Sequence, residues 1–453
     1  MYSLPVYKRS PVWLQNMMLS ARGYGRRTLR EGSAFRRELE EVERTQWLGR
    51  VAMQRLQLER LQKVVRHAAL HVPYYRESFA AAGFSPDQLV ALEDVQRIPV
   101  LTKRNAFDAG ERMLAENALG PRFSNSTSGT TGMSMKVQRD LQSINRENAF
   151  VWRQCIWAGG RPGDRRVWIR GDKIVPADVK APPFWRYSKA DNMLMMSSYH
   201  LSEQSAEHYI RAIEAFDPVF GMVYPSAVLL LARYMVNAGR TYRGKSLRGF
   251  MTSSETVTDE HRRLVQEAFG CRIFDWYGSA ERVTAIGNCE HGNYHVISDY
   301  GFTELAPKED GTCEVIGTSF DNFLMPWIRY RLGDSIMPVD PGYTCPCGRA
   351  FPVVKQIVGR VEDYVLTPDG RHVFMMSNAL DHIPNLLEGQ VRQDSVDEVQ
   401  ILIVPAPGTQ IDKAAAVAAA KAQLGEGLLI SVREVAEIPR TSNGKLRVVV
   451  RTI

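Results

Sequence analysis

Asn125-Ser-Thr-Ser-Gly-Thr-Thr-Gly132, followed by Met133, Ser134, Met135 and Lys136, carries the densest potential chemistry in the 453-residue chain. Gly129 and Gly132 permit a tight turn that exposes backbone N–H groups. The hydroxyls of Ser126, Thr127, Ser128, Thr130 and Thr131 add further donors, a combination that an anionic phosphate satisfies. Lys136 supplies a positive charge. The spacing differs from the G-x-x-x-x-G-K-[ST] loop, because Lys136 follows Gly132 by four residues and no hydroxyl residue comes directly after it. Such a turn by itself is an ordinary loop, so the rest of the chain must decide. A second constellation is Cys289-x5-His295 with Cys345-x-Cys347, the latter inside Gly-Tyr-Thr-Cys-Pro-Cys-Gly-Arg. Two thiolates one residue apart, joined by a Cys/His pair from another segment, make four ligands suited to Zn²⁺. Four protein ligands leave no open position for water, so the ion would be structural. His291 competes with His295 for the fourth place, although Cys-x-His requires a tight turn. Cys155, Cys271 and Cys313 stand in isolated contexts and read as core thiols.

Elements able to hold these groups are legible in the periodicity. From Gly32 to about Ala82 apolar residues recur at three- and four-residue spacing, with Leu56, Leu61, Val64, Val65 and Ala68 on one helical side. Strand-like RRVWI at 165–169 and helical stretches at 202–215 and 260–269 alternate through the middle, predicting an α/β body. Beyond Val358 a smaller unit begins, with strands at 399–404 and 430–435 and an Ala/Lys-rich helix at 412–424 between them.

Five segments in order resemble the adenylate-forming superfamily of acyl-CoA synthetases, within it the phenylacetate–CoA ligase and CapK-like branch. They are the loop at 126–136, Trp276-Tyr-Gly-Ser-Ala-Glu281, Tyr330-Arg-Leu-Gly-Asp334, Gly359-Arg-Val-Glu-Asp363 and Pro439-Arg-Thr-Ser-Asn-Gly-Lys445. The resemblance covers roughly residues 60–450. It implies a large adenylate-forming body (71–358) and a small mobile α+β domain (359–453), and the charge and periodicity add a basic helical leader (1–70) packed on the body. It also implies two half-reactions through an acyl-adenylate, with ATP, Mg²⁺ and CoA as co-reactants.

Physical chemistry and the resemblance agree on roles. A carboxylate attacking the α-phosphate of ATP brings two anions together, so cations and donors must hold the charge. By resemblance the 126–132 loop and Lys136 grip phosphates, Glu281 holds Mg²⁺, and Tyr277 beside Gly278 stacks on the adenine. Asp334 accepts the ribose hydroxyls, and Arg360 binds ribose or phosphate oxygens. Lys445, delivered and removed by the mobile domain, bridges carboxylate and phosphate oxygens during the first step. Some relatives carry a zinc site, and the histidine retained in this branch corresponds to His295. Two positions depart from the family pattern. Glu362 stands at the hinge where Asp is usual, and Ala280 precedes Glu281 where Thr is common. The expected partners are a compact carboxylic acid and CoA, with an amine, hydroxyl or carrier-protein thiol as the alternative acceptor. A homodimer is compatible with the sequence.

Charge is the unusual bulk feature. Of the formal +7, positions 1–70 carry +8, from fourteen basic and six acidic residues, and the remainder −1. Basic residues at 22–66 alternate with Glu38, Glu40, Glu41, Glu43 and Glu59. No single-sign stripe is therefore expected, nucleic acid is excluded as a partner, and a solvated helix face is the reading, with contact to anionic lipid as the alternative. No run reaches the length of a membrane span, no signal-peptide pattern follows the start, and six sparse cysteines do not make a secreted framework. A cytoplasmic protein is expected.

Overall fold

The computed structural model describes residues 2, 4–126, 135–254, 257, 259–309, 311–340, 342–358, 364–373, 376–380, 383–405, 409–436, 438 and 449–453. Most of the phosphate loop (127–134), the hinge run 359–363 and the 439–448 segment bearing Lys445 lie outside them.

The expected α/β body is built, among the described residues, on one twelve-stranded sheet. Its parallel centre runs in the spatial order Met193–Ser197, Arg166–Arg170, Phe220–Val223, Gly249–Ser253, Arg272–Gly278. The helices Glu203–Phe216, Pro225–Asn237 and Asp259–Phe269 separate these strands in sequence, as parallel pairing requires. Beyond Arg272–Gly278 the sheet becomes antiparallel, through Ala285–Asn288, Tyr294–Val296, Val353–Val358, Tyr330–Pro338, Cys313–Ser319 and Gly301–Pro307. The sequence elements fall where periodicity put them. Ser202 is the N-cap of Glu203–Phe216, its hydroxyl accepting from Ser205 N–H. The apolar run at 227–232 is the buried middle of Pro225–Asn237.

The helical stretch expected from Gly32 to Ala82 is three helices, Ser33–Thr45, Arg50–His71 and Pro73–Ala81. Gly49 starts the second, and Pro73 forces the preceding Val72 into an extended conformation (φ −114°, ψ 112°) that ends it. Leu61, Val64, Val65 and Ala68 are fully buried, each larger side chain contributing roughly 1.5–3 kcal/mol by leaving water. Two earlier helices, Pro5–Arg9 and Val12–Arg30, were not apparent from periodicity. Val12–Arg30 lies along Trp185–Ser188, an edge strand of the large sheet. Asn16 Oδ1 accepts from Tyr187 N–H (3.0 Å) and Ser20 Oγ from Lys189 N–H (2.9 Å), satisfying donors that a bare edge leaves open. A Cβ at Gly23 would collide with the Asp191 carboxylate and Ser188 Oγ, so only glycine allows this approach.

The smaller C-terminal α+β unit has its own four-stranded sheet, in the order Leu429–Glu434, Glu398–Pro405, Leu386–Gln393, Val449–Arg451. The helix Lys413–Leu424, N-capped by Asp412, packs on it through Ala416, Ala420 and Leu424 in a separate apolar core. Arg371 ties this unit to the body by donating to the carbonyls of Tyr199 (2.8 Å) and Leu424 (2.9 Å).

Candidate functional site

The loop begins and ends on a short hairpin. Phe123–Ser126 pairs antiparallel with Lys136–Arg139, Ser126 opposite Lys136, so both ends of the loop are held together. Along Lys136–Arg139 burial alternates. Lys136 is exposed, while Val137 and Arg139 point inward. The calls on Thr127, Ser128, Gly129, Thr130, Thr131, Gly132, Arg360 and Lys445 lie outside the described residues, as does the side chain of Ser126.

Tyr277 and Gly278 end a parallel strand. Tyr277 packs against the core cluster that contains Met135 and Val137 at the loop exit, and its hydroxyl donates to Asp334 Oδ2 at 2.8 Å. The chain then turns, Arg282 N–H bonding to Ser279 C=O at 3.2 Å. Arg282 adopts φ +56°, a region that costs a non-glycine residue about 1 kcal/mol or more. Its guanidinium offsets this by donating to Ser143 C=O (3.2 Å) and pairing with Glu147 (3.5 Å). Glu281, within this turn, is buried and faces the field of Arg139.

Arg139 is the functional candidate that the sequence reading missed. Burial pushes its guanidinium down to about 10, Arg282 adds to this, and Glu147, Tyr300 and Glu281 act in the opposite direction. It therefore stays charged at neutral pH. Its Nε is buried without a hydrogen-bond partner among the described residues, as is Ser279 Oγ in the turn before Glu281. An orphaned cationic donor three residues along the strand from Lys136 fits an anionic ligand. The signal was present in the strand parity, which puts a charged residue on the same inward face as Val137.

The second cluster assembles as expected. Ligand atoms of Cys289, His295, Cys345 and Cys347 all lie within 4.8 Å of one another. Cys289 Sγ is 3.6 Å from Cys345 Sγ, and Cys347 Sγ is 3.4 Å from His295 Nε2. A tetrahedron with bonds of about 2.3 Å to sulfur and about 2.0–2.1 Å to nitrogen has edges of roughly 3.5–3.8 Å, so the donor set fits Zn²⁺. His295, not His291, occupies the fourth corner. Burial lowers the imidazole pKa, and its Nδ1 lies 3.1 Å from Phe351 C=O, which fixes Nδ1 as the protonated nitrogen and leaves Nε2 for a metal. Asn293 Nδ2 donates to Cys345 Sγ (3.1 Å) and His291 N–H to Cys289 Sγ (3.4 Å). Cys155, Cys271 and Cys313 are buried elsewhere.

A cavity of about 1670 Å³ opens between the body and the C-terminal unit, with Lys173, His200, Arg371 and Gln423 among its lining. Tyr277, Glu281 and Asp334 do not line it.

Residues 365–452 match the CapK C-terminal domain family. Protein CapK of Staphylococcus aureus is 24% identical across 99% of both chains, and a phenylacetate–coenzyme A ligase of Pseudomonas putida is 28% identical over 70% of this chain and 72% of its own. The chain is an adenylate-forming ligase related to CapK and to the phenylacetate–CoA ligases. A solved 2-hydroxyisobutyryl-CoA ligase, bound to its acyl-adenylate and CoA, shares the fold of this adenylate-forming enzyme. It is 21% identical, with a TM-score of 0.57, over 90% of this chain and 91% of the other.

Proposed function

We propose that this enzyme activates a compact, aryl or similarly sized organic acid with ATP and transfers the acyl group to CoA as a thioester. The supporting observation is that the Trp276–Glu281 segment meets two others, Tyr277 donating to Asp334 and Glu281 lying in the field of Arg139 on the strand that leaves the hydroxyl-rich loop. In the first step a carboxylate oxygen attacks the α-phosphorus, the bond to the bridging oxygen breaks, and pyrophosphate leaves. Charge repulsion is the obstacle, and fixed donors that need no reorganisation are the remedy. In this reading the 126–132 loop, Lys136 and Arg139 hold the phosphates, while Asp334, oriented by Tyr277, receives the ribose. Arg360 assists there, and Lys445 bridges the reacting anions. Mg²⁺ would neutralise phosphate charge, and the buried Glu281 carboxylate suits a hard ion that takes one or two carboxylates with its phosphates.

In the second step the acceptor sulfur attacks the acyl carbon and AMP departs with the bonding electrons. The domain division at about residue 359 serves this step, letting the C-terminal unit withdraw Lys445 and admit the acceptor. Zn²⁺ on Cys289, His295, Cys345 and Cys347 would be structural, pinning the 345–347 turn to the strand bearing His295. The reading places the enzyme in the cytoplasm.

A second reading keeps the adenylate but sends the acyl group to an amine, hydroxyl or carrier-protein thiol. It is favoured by the CapK match to the C-terminal unit, the part that moves between half-reactions. Incubating the protein with Mg-ATP and a panel of acids, then adding CoA, amines or carrier protein, tests both. Acid-dependent pyrophosphate release followed by thioester supports the first reading. Adenylate that reacts only with the other acceptors supports the second. A folded, metal-replete sample that releases no pyrophosphate across a broad panel sinks both.

A further inference from the structure

The helix Val12–Arg30 buries Leu19 in a small apolar cluster with Ile174, Val175, Met193 and Met195, but most of its other body contacts are polar and much of its apolar surface is left outside. A helix on a protein surface ordinarily keeps its apolar stripe inward and its charges outward. Here Gln15, Asn16, Ser20 and Arg26 engage the body, Arg26 pairing with Asp191 at 3.0 Å, because the neighbour is a strand edge that needs polar partners. The opposite face presents Trp13, Met17, Ala21, Tyr24 and Thr28, spaced by four, four, three and four residues, with no charged side chain among them. Trp13 is 61% exposed, Met17 60% and Tyr24 72%. Leu4 and Val6, in the preceding turn of chain, are also exposed.

Exposed cations lie on and just before this helix, Lys8 also lining the cavity beside the C-terminal unit. Lys8, Arg9 and Arg22 are exposed, Arg22 lying over the Tyr2 ring at 5.0 Å. Arg27 reaches Glu31, the first acidic residue of the chain, at 3.3 Å. The glutamates that interrupt the basic pattern thus begin only after this helix, and residues 1–30 contain none.

We propose that the helix Val12–Arg30, lying flat, docks the enzyme on an anionic lipid bilayer. Exposed Trp, Tyr, Met and Leu beside Lys and Arg, without acids, is the chemistry of an interfacial helix, whose rings and aliphatic groups enter the headgroup region while cations meet lipid phosphates. No helix among the described residues is long and apolar enough to cross a membrane, so attachment would be to one leaflet.

Flotation of the purified full chain with phosphatidylcholine vesicles, and with vesicles also containing phosphatidylglycerol, tests the proposal. The wild type is expected to float with the anionic vesicles and to be released by salt. The double substitution Trp13→Glu/Met17→Glu should weaken binding by about tenfold or more, with melting temperature, circular dichroism and acid-dependent pyrophosphate release unchanged. Lys8→Gln/Arg9→Gln/Arg22→Gln should remove the preference for anionic lipid. Failure of the wild type to float, equal flotation of the Trp13/Met17 variant, or equal binding to neutral vesicles would overturn it. So would a wild-type dimer, by light scattering, that the Trp13/Met17 variant dissociates, since the face would then belong to a second copy.

Discussion

The Tyr277 hydroxyl donates to Asp334 Oδ2 at 2.8 Å across strands that are four places apart in the large sheet. On a flat sheet four spacings of about 4.8 Å would separate the backbones by roughly 19 Å, beyond the reach of the two side chains. The antiparallel half therefore curls, and the curl brings two sequence motifs to one point. Tyr277→Phe should leave the fold intact and raise the ATP concentration needed for half-maximal pyrophosphate release by about tenfold, the scale of a lost hydrogen bond to a charged group. An unchanged ATP dependence would remove Tyr277 from the nucleotide site.

Arg153 and Asp299 form a fully buried pair at 2.7 and 3.0 Å. Arg153 also donates to Val42 C=O (2.8 Å), and Thr45 donates to Asp299 (2.5 Å), so the pair locks the helix Ser33–Thr45 onto the body. Arg153→Met should cost roughly 3–5 kcal/mol by stranding a buried carboxylate, read by urea unfolding. Burial alone raises the Asp299 pKa, but the Arg153 charge and hydrogen bond, Thr45 and Arg60 bring it net below the usual range. A depressed folded pKa means the contribution is present above the unfolded carboxyl value and is lost as pH falls through the folded one. Asp299→Asn should therefore narrow the stability gap between neutral and acidic pH, and an identical acid profile would contradict this.

For the thiolate–imidazole cluster, the wild type should carry about one zinc per chain by elemental analysis. Cys345→Ser should lose it and melt at a lower temperature, whereas Cys155→Ser should keep the metal. Metal-free wild type that melts normally would count against the site.

Lys445→Ala should slow adenylate formation by on the order of 100-fold, comparable to removing a fixed donor from a charged transition state. Thioester formation from supplied acyl-adenylate should change little. If both half-reactions fell together, Lys445 would not be specific to the first.

The sequence by itself determined the order of the motifs, the alternation of strands and helices, and the donor set for zinc, because each is local or a matter of residue type. Periodicity located Leu61, Val64 and Val65, and turn chemistry located the loop between Ser126 and Lys136. Residue type and spacing alone could not choose between His291 and His295, which the family resemblance favoured, since that depends on which imidazole a strand 50 residues from Cys345 turns toward the thiols. Arg139 went unremarked because a buried arginine is intelligible only once Glu281, Glu147 and Arg282 surround it. The outward face of the leader was hidden for a similar reason. Charge counted over 1–70 averaged an acid-free helix with an acid-rich one, and the outward side of Val12–Arg30 was decided by the strand edge at Tyr187 and Lys189, a neighbour that exists only in three dimensions.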